Sequence, residues 1–315
     1  MIDPPAEIRR LVYLGTPSES VPFLEALAAD GLDVVLAVTR PDRRRGRRAE
    51  PTPGPVKAAA QSLGIPVCTD VDDVLGADSD LGVVVAFGQI IKPHVLDRLA
   101  MVNVHFSLLP RWRGAAPVER AILAGDQTTG VCLMEVAEGL DTGRVYRRVE
   151  VPIAPDATGA SLRAELVAAA VPMLVGALRD GLGSPEPQHG EPVYAAKITR
   201  DELRLDWEQA AELLHRQVRV GGAWTTWRGK VLKIWSAHPV AKLPSTTPVT
   251  GKMPNTWPAH TEDGSLAPGG LDGCLVGTGD GQIHLVEVQA EGKSRQAAED
   301  WLRGARPVPG DRLGS

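Results

Sequence analysis

The stretch RRLVYLGTPSESVPFLEALAADGLDVVLAVT, Arg9 to Thr39, contains two short apolar runs separated by a segment with helical periodicity. The first run ends at Gly15, and the helical segment ends at Gly31, where a helix C-terminal glycine is expected. Apolar runs without polar alternation are typical of strands that are covered on both faces. The stretch therefore predicts a strand, a helix and a second strand of a parallel sheet.

The same alternation of strands and helices continues to about residue 182. Further strands are predicted at DLGVVVAFG, MVNVHF and GVCLMEV, and further helices at PVKAAAQSLG, at PVERAILAG and within Ala157 to Leu182. Because strands alternate with helices and are apolar on both faces, we predict a parallel sheet covered by helices. This first part of the chain is expected to be a Rossmann-like α/β domain.

A segment rich in glycine and proline, Gly181 to Pro192, has the composition of a linker. After it come one amphipathic helix, WEQAAELLHRQV, and short strand-like runs, KVLKIWSA and GCLVGTGDGQIHLVEVQ, with a hairpin signal at Gly279 to Gly281. We predict a small β-barrel of the oligonucleotide-binding (OB) type here. The expected division is a first domain over residues 1–188, a linker over 189–206 and the barrel over 207–315.

Composition favours a soluble globular protein, with 43% apolar residues over 315 positions. Three scattered cysteines without CxxC spacing argue against a disulfide scaffold and a zinc site, so we expect a cytoplasmic protein. No long apolar run follows the basic residues of the N-terminus, and no eighteen uncharged apolar residues occur together. We therefore expect no secretion signal and no membrane span, and we expect a monomer.

Basic residues are concentrated in two places. Asp206 to Ser315 hold twelve Lys and Arg against twelve Asp and Glu, so the whole net charge of −5 belongs to the first 205 residues. No acid falls between Glu212 and Glu262, a pattern that suits a polyanion. The other concentration is RRRGRR, with Arg43, Arg44, Arg45, Arg47 and Arg48. It is either a solvated loop or a phosphate clamp in an otherwise acidic domain.

Candidate chemistry lies in NVHFSLLPRWRGAAPVE, Asn103 to Glu119. Asn103 and His105 project from one face of a predicted strand, near its carboxyl end, where ligands of parallel sheets bind. The loop EGLDTG, Glu138 to Gly143, follows the next strand and could carry Asp141 back to the histidine. Two hydrogen-bond donors and a carboxylate suit acyl transfer between two bound substrates, although a histidine beside a strand is more often structural.

Other chemistries lack their motifs. The first strand ends in LGTPSES, with one glycine, so the GxGxxG pattern of dinucleotide binding is absent and NAD is not expected. GxSxG, which would present a serine nucleophile, is absent too. Neither HExxH nor any other metal-ligand spacing occurs, so we expect no metal.

Taken together, NVHFSLLPRWRGAAPVERAI, GLDTG, YLGTP, VTRPDRRRGR, VVVAFGQII and VEVQAEGKSRQAAEDWLRG resemble the folate-dependent formyltransferases, over nearly the whole chain. The resemblance implies a formyltransferase domain followed by an OB-like tRNA-binding domain. It makes Asn103, His105 and Asp141 the catalytic group and the arginine run a contact to tRNA. It assigns the folate to Ser107, Leu108, Leu109 and Pro110, with Phe87, Gly88, Gln89 and Ile90 walling the pocket.

The activity implied is transfer of the formyl group of 10-formyltetrahydrofolate to the α-amino group of initiator Met-tRNA, which gives N-formylmethionyl-tRNA for translation initiation. A sugar-nucleotide formyltransferase could also carry a barrel after its catalytic domain. A formyltetrahydrofolate hydrolase would keep the histidine and aspartate without needing the basic C-terminal half. A tRNA-binding protein without enzymatic activity would need the basic segments but not the Asn, His and Asp set.

Overall fold

The computed structural model of the chain describes residues 2–44, 51–240, 266–308 and 310–315. These residues form two compact units. One consists of Met1–Ala121, Asp126–Ala154 and Ala160–Lys197, and the other of Ile122–Gly125, Pro155–Gly159 and Ile198–Ser315. The main change of unit, between Lys197 and Ile198, falls inside the segment 189–206.

The elements up to Ala195 alternate largely as the sequence predicts. The strands are β1 (Arg10–Gly15), β2 (Asp33–Val38), β3 (Arg43–Arg44), β4 (Pro51–Thr52), β5 (Val67–Cys68), β6 (Leu81–Val85), β7 (Met101–His105), β8 (Arg113–Gly114), β9 (Thr128–Glu135), β10 (Val145–Pro152) and β11 (Tyr194–Ala195). The helices are α1 (Val21–Ala29), α2 (Pro55–Ser62), α3 (Pro93–Leu96), α4 (Pro117–Ala124) and α5 (Gly159–Arg179). Short 3-10 helices span Ser18–Ser20 and Val71–Gly76.

Local signals explain where these helices begin and end. Prolines lie in the first turn of α1 and of α2, where the missing N–H is not needed. Gly31 and Gly64 follow the two helices at φ values of +86° and +71°, a region that a residue with a Cβ rarely enters. The predicted helix boundaries in this part of the chain are therefore confirmed.

A seven-stranded sheet forms the core of the first unit, in the order β10-β9-β7-β6-β1-β2-β5. The five strands from β5 to β7 in that order are parallel, whereas β9 pairs antiparallel with β7 and β10 pairs antiparallel with β9. The Rossmann-like prediction is confirmed, with a mixed sheet in place of a wholly parallel one. The edge strand β10 was not predicted because the exposed residues Arg147, Arg148 and Glu150 interrupt its apolar pattern.

Helix α5 packs on this unit as a core helix. By length and composition alone it could cross a membrane, since its most apolar window has a mean hydropathy of 1.5. However, Leu162, Leu166 and Leu174 follow one another at helical spacing and are fully buried. Such a buried stripe is the pattern of a helix that covers a sheet in a soluble domain.

The second unit contains the remaining elements. They are α6 (Ala211–Val220), β12 (Trp224–Trp227), β13 (Lys230–Val240), β14 (Leu271–Asp272), β15 (Leu275–Gly277), β16 (Gln282–Ala290), β17 (Gln296–Ala297) and α7 (Ala298–Ala305), with a 3-10 turn at Asp201–Leu203. The sheet is antiparallel, in the order β12-β13-β16-β15-β14, with β17 also paired to β16. The predicted hairpin is confirmed, because Gly277 of β15 faces Gln282 of β16 across it.

Helix α6 covers the second unit's core and places one histidine inside it. Leu214 and Val218 of α6 pack with Ile234, Leu285 and Trp301. His215 is also buried, and its ring lies 6.3 Å from the ring of the exposed His238. Burial, followed by the positive charge of Arg219, lowers the pKa of His215 from 6.5 to about 4.

This burial predicts that acid weakens the second unit. Between pH 6.5 and about 4 the unfolded chain binds a proton at His215 that the folded chain does not. Stability should therefore fall as the pH falls through this window, by at most about 3 kcal/mol. Denaturant unfolding followed by tryptophan fluorescence measures this, because Trp207, Trp224, Trp227, Trp235 and Trp301 all lie after residue 197.

The replacement His215→Gln should flatten that pH dependence. His284→Gln, at an exposed position of β16, should leave it unchanged. An equally steep loss of stability in the His215→Gln protein would show that other groups cause it.

Candidate active site

Strand β7 presents Asn103 and His105 on one face, near the carboxyl end of the strand. Asn103 lies opposite Val84 of β6 and Met134 of β9, and His105 lies opposite Cys132. Among the described residues, none forms a hydrogen bond with the Asn103 side chain. The Asn103 amide is therefore available to donate to a ligand above this face.

The imidazole of His105 is 6% exposed and is held at both nitrogens. Its Nε2 lies 2.9 Å from the carbonyl oxygen of Trp112. A carbonyl oxygen only accepts hydrogen bonds, so Nε2 carries a hydrogen and donates it. The nitrogen that can gain or lose a proton is consequently Nδ1, which lies 3.6 Å from Oδ2 of Asp141.

Asp141 reaches the histidine because the loop between β9 and β10 folds back over β7. The residue has a φ of +51°, a left-handed conformation that aspartate tolerates better than most residues. Its Oδ2 accepts a hydrogen bond of 2.8 Å from the backbone N–H of Gly114. The structure thus brings Asp141 and His105 together, as expected from the spacing of the motifs.

The turn from Arg111 to Gly114 anchors both groups and is itself anchored. Arg111 Nε and Nη2 donate to the carboxylate of Asp126 at 2.9 and 2.7 Å, and the indole N–H of Trp112 donates to the same carboxylate at 2.8 Å. Strand β8 pairs with β11, so Gly114 is fixed from a distant part of the chain. Sequence reasoning missed this turn because its contacts to His105 and Asp141 come from backbone atoms, which leave no signal in residue type.

The four residues assigned to the folate have different environments. Ser107 is buried and its hydroxyl donates to the carbonyl of Arg111 at 2.6 Å, which closes the turn. Leu109 is buried in a cluster with Cys132, Met134 and Val145. Leu108 and Pro110 are half-buried, and the Leu109–Pro110 peptide bond is cis. Leu108 and Pro110 are therefore the members of this set that retain accessible surface.

The residues of the loop after β6 also differ in their burial. Phe87 is buried among core residues that include Leu14 and Val95, and its carbonyl accepts a hydrogen bond of 3.1 Å from the Thr16 hydroxyl. Gly88 has a φ of +69°, a conformation that residues with a Cβ rarely adopt. Gln89 and Ile90 then project outward, with Ile90 89% exposed. An isoleucine left in solvent at the carboxyl end of a parallel strand is a surface that an apolar ligand could cover.

The arginine run is only partly within the described residues. Arg43 and Arg44 form β3, which pairs antiparallel with Pro51 and Thr52 of β4. Arg45, Arg47 and Arg48 lie outside the described residues. Their assignment to tRNA therefore stays a prediction.

Two cavities among the described residues lie away from His105 and Asp141. One, of about 680 Å³, lies between Ser18, Glu19 and Pro22 and the face of α5 around Ala164 and Val167. The other, of about 230 Å³, is lined by Met101, Glu135, Arg144 and Tyr146 near the amino ends of the parallel strands. The candidate site is therefore identified from the geometry of His105 and Asp141.

Comparison with known proteins places the chain in a family. Residues 9–178 match the profile described as formyl transferase, and residues 197–306 match that of the formyl transferase C-terminal domain. The methionyl-tRNA formyltransferase of Halorhodospira halophila is 41% identical over 96% of this chain and 98% of its own. The protein of the same name from Jannaschia sp. is 39% identical, over 96% of this chain and 98% of its own.

A solved structure, HypX from Aquifex aeolicus in complex with tetrahydrofolic acid, shares the fold with a TM-score of 0.62 at 20% identity. The match covers 95% of this chain and 47% of that one, so the chain spans about half the length of HypX. By its matched profiles and its full-length relatives, the chain belongs to the formyl transferase family, and within it to the methionyl-tRNA formyltransferases.

Proposed function

We propose that Asn103, His105 and Asp141 carry out the reaction of this family in the present chain. That reaction transfers the formyl group of 10-formyltetrahydrofolate to the α-amino group of methionyl-tRNA. The observation that carries the assignment is the pairing of His105 Nδ1 with Asp141 Oδ2, at 3.6 Å, while Nε2 is tied to the Trp112 carbonyl. Because Nε2 is bound to a carbonyl oxygen, Nδ1, beside the Asp141 carboxylate, is the nitrogen proposed to act on a substrate.

The proposed chemistry starts with attack of the neutral α-amino nitrogen on the formyl carbon. An α-amino group has a reference pKa near 8, so a sizeable neutral fraction exists without a strong base. Negative charge then develops on the formyl oxygen, and the Asn103 amide and a protonated His105 Nδ1 donate hydrogen bonds to it. Asp141 accepts the proton that the amine loses. The bond from carbon to N10 then breaks, and N10 of the departing tetrahydrofolate takes up that proton.

The folate is proposed to lie between the residues 107–110 and the loop 87–90. Half-buried Leu108 and Pro110 and exposed Ile90 supply the apolar surface for a flat pterin ring. Ser107, Leu109 and Phe87 hold these two segments in place from the core side. Exposed Gly88 and Gln89 are proposed to complete the wall beside Ile90.

Initiator tRNA is proposed to bind through the arginine run and the second unit. Support comes from the acid-free segment and from the way its cations are distributed. Arg228 is paired with Asp311 at 2.6 Å, whereas Lys233 is exposed beside Trp235, with its Nζ 5.9 Å from the ring centroid. Arg295 lies over the same ring at 4.9 Å. An exposed tryptophan flanked by cations suits a phosphate backbone with an unpaired base.

The division of labour is proposed as catalysis in residues 1–188, a linker over 189–206 and tRNA binding in 207–315. All proposed catalytic and folate residues precede the linker. We further place the enzyme in the cytoplasm, as a monomer that needs neither a metal nor a membrane. Formylation of initiator Met-tRNA by 10-formyltetrahydrofolate in a purified assay tests the function as a whole.

The first expectation concerns the catalytic group. Replacing Asn103, His105 or Asp141 by Ala should lower kcat by roughly 100-fold or more in each case, because an oxyanion donor or the proton acceptor is lost. Steady-state formylation of Met-tRNA measures this. His94→Ala, at an exposed histidine paired with Asp72, is the matched control and should retain full activity. Near-normal turnover in the His105→Ala enzyme would remove that residue from the mechanism.

A second expectation concerns the arginine run. The double replacement of Arg47 and Arg48 by Ala should weaken tRNA binding and reduce the slope of log K against log salt concentration by roughly one unit per lost phosphate contact. Folate affinity should not change. The control is the double replacement of Arg9 and Arg98, which are exposed near the amino ends of β1 and β7. If the salt slope is the same in both double variants, the run is a solvated loop.

The domain division predicts the behaviour of two truncated proteins. A chain ending at Lys197 keeps β11, whose residues pair with Arg113 and Gly114 of β8, and should bind folate within a few-fold of the intact enzyme. A chain ending at Gly190 loses that pairing and should bind folate less well. Both should show a greatly raised KM for Met-tRNA, because linked modules bind a common ligand far better than either alone. Efficient formylation by the 1–197 protein would refute a tRNA-binding role for the second unit.

A further inference from the structure

The glycine- and proline-rich segment 181–192 is docked on the first unit and is not a free tether. The backbone N–H of Glu186 donates to the carbonyl of Val145, and the Val145 N–H donates back to Glu186, at 2.9 and 2.8 Å. This bridge holds the segment against the first residue of β10. Gln188, two residues later, therefore reaches the loop that carries Asp141.

The side-chain amide of Gln188 joins that loop to Arg113. Its Nε2 donates to the carbonyl oxygens of Asp141 and Gly143, at 2.9 and 2.8 Å. Its Oε1 accepts from Nε and Nη2 of Arg113, at 3.0 and 2.7 Å. The amide orientation is fixed by chemistry, because carbonyls only accept and a guanidinium only donates. Both amide hydrogens and the amide oxygen are fully used.

From this geometry we infer that Gln188 is a positioning residue for Asp141. The inference rests on the proposed role of Asp141 in formyl transfer. Asp141 stands in a left-handed conformation in a loop bounded by Gly139 and Gly143, where Thr142 donates to the Gly139 carbonyl through its N–H and its hydroxyl. Two clamps fix it. Gly114 N–H holds the carboxylate, and Gln188 holds the backbone on either side of Thr142.

Both contacts depend on the same turn of the chain. Arg113, which orients Gln188, is adjacent to Gly114, which binds the Asp141 carboxylate, and to Trp112, whose carbonyl accepts from His105. Three consecutive residues thus set the backbone of the Asp141 loop, the Asp141 carboxylate and the His105 ring. Loss of Gln188 would remove the hydrogen bonds that hold the Asp141 loop to this turn. His105 would remain bound to the Trp112 carbonyl. Displacement of a catalytic group by about 1 Å can cost on the order of 100-fold in rate.

The replacement Gln188→Glu tests this sharply. It keeps the size of the side chain and its acceptor for Arg113, but it turns the donor facing two carbonyl oxygens into a third acceptor. We expect kcat to fall by roughly ten-fold or more, with KM for the folate and for Met-tRNA within a few-fold. Gln188→Met, which removes both sets of hydrogen bonds without adding charge, should show the same split between kcat and KM. His189→Gln, at the exposed neighbouring position, is the control and should behave like the unaltered enzyme.

A double-mutant cycle separates positioning from general destabilisation. Because Gln188 is inferred to act through Asp141, Gln188→Glu should have no further effect on kcat in an Asp141→Ala enzyme. An effect that persists undiminished in that background would overturn the inference, as would unaltered kcat in both single variants at Gln188. If Asp141→Ala itself retains activity, it is the proposed catalytic role of Asp141 that fails. Thermal unfolding of each variant identifies any variant that has lost the fold. If one of the two Gln188 variants has lost it, the kcat of the other variant decides whether the inference stands.

Discussion

The two different pairings of β7 set the architecture of the proposed active site. Along one edge β7 is parallel to β6, and along the other it is antiparallel to β9. The parallel edge requires a helical crossover and puts the carboxyl end of β7 beside that of β6, where the loop 87–90 emerges. Because β9 is antiparallel to β7, the loop after β9 begins beside the amino end of β7, where the Val136 N–H donates to the Met101 carbonyl. The loop then turns back over β7 and brings Asp141 to His105.

Backbone groups then fix the orientation of the side chains. The carbonyl of Trp112 determines which nitrogen of His105 carries a hydrogen, and the N–H of Gly114 determines where the Asp141 carboxylate points. Both groups belong to one turn, and side chains that bind Asp126 hold that turn in place. Preorganised donors and acceptors of this kind need no rearrangement when charge develops on a substrate. The turn Arg111 to Gly114 therefore orients both His105 and Asp141 through its backbone.

The arginines near the site show why charge in a sequence does not by itself indicate nucleic-acid binding. Arg111 is paired with Asp126, which raises the pKa of the guanidinium, and Arg113 is bound to Gln188. In the second unit Arg228 is paired with Asp311, and the arginine lowers the pKa of that carboxyl group. Such cations are engaged in holding the fold, and Arg295 beside Trp235 is likewise paired with Glu287. Exposed Lys233, in contrast, lies beside the same ring and has no carboxylate partner among the described residues. Whether a cation is paired depends on its neighbours in the folded chain, and the sequence does not show those neighbours.

Strands and helix ends that have local signals could be predicted from the sequence. Buried runs such as Leu11 to Leu14, prolines at the first turns of α1 and α2, and glycines at their ends all act within a few residues. The sequence also singled out Asn103, His105 and Asp141, because their types and spacing are chemically unusual. Tertiary structure alone decided that β9 and β10 run antiparallel, that an edge strand forms from the charged segment Val145–Pro152, and that segment 181–192 is docked. The pairing of β9 with β7 and the docking of segment 181–192 depend on hydrogen bonds between residues far apart in the chain, and β10 forms by pairing with β9. The partners of Gln188, at 75 and about 45 residues' distance, follow no local pattern that a sequence could show.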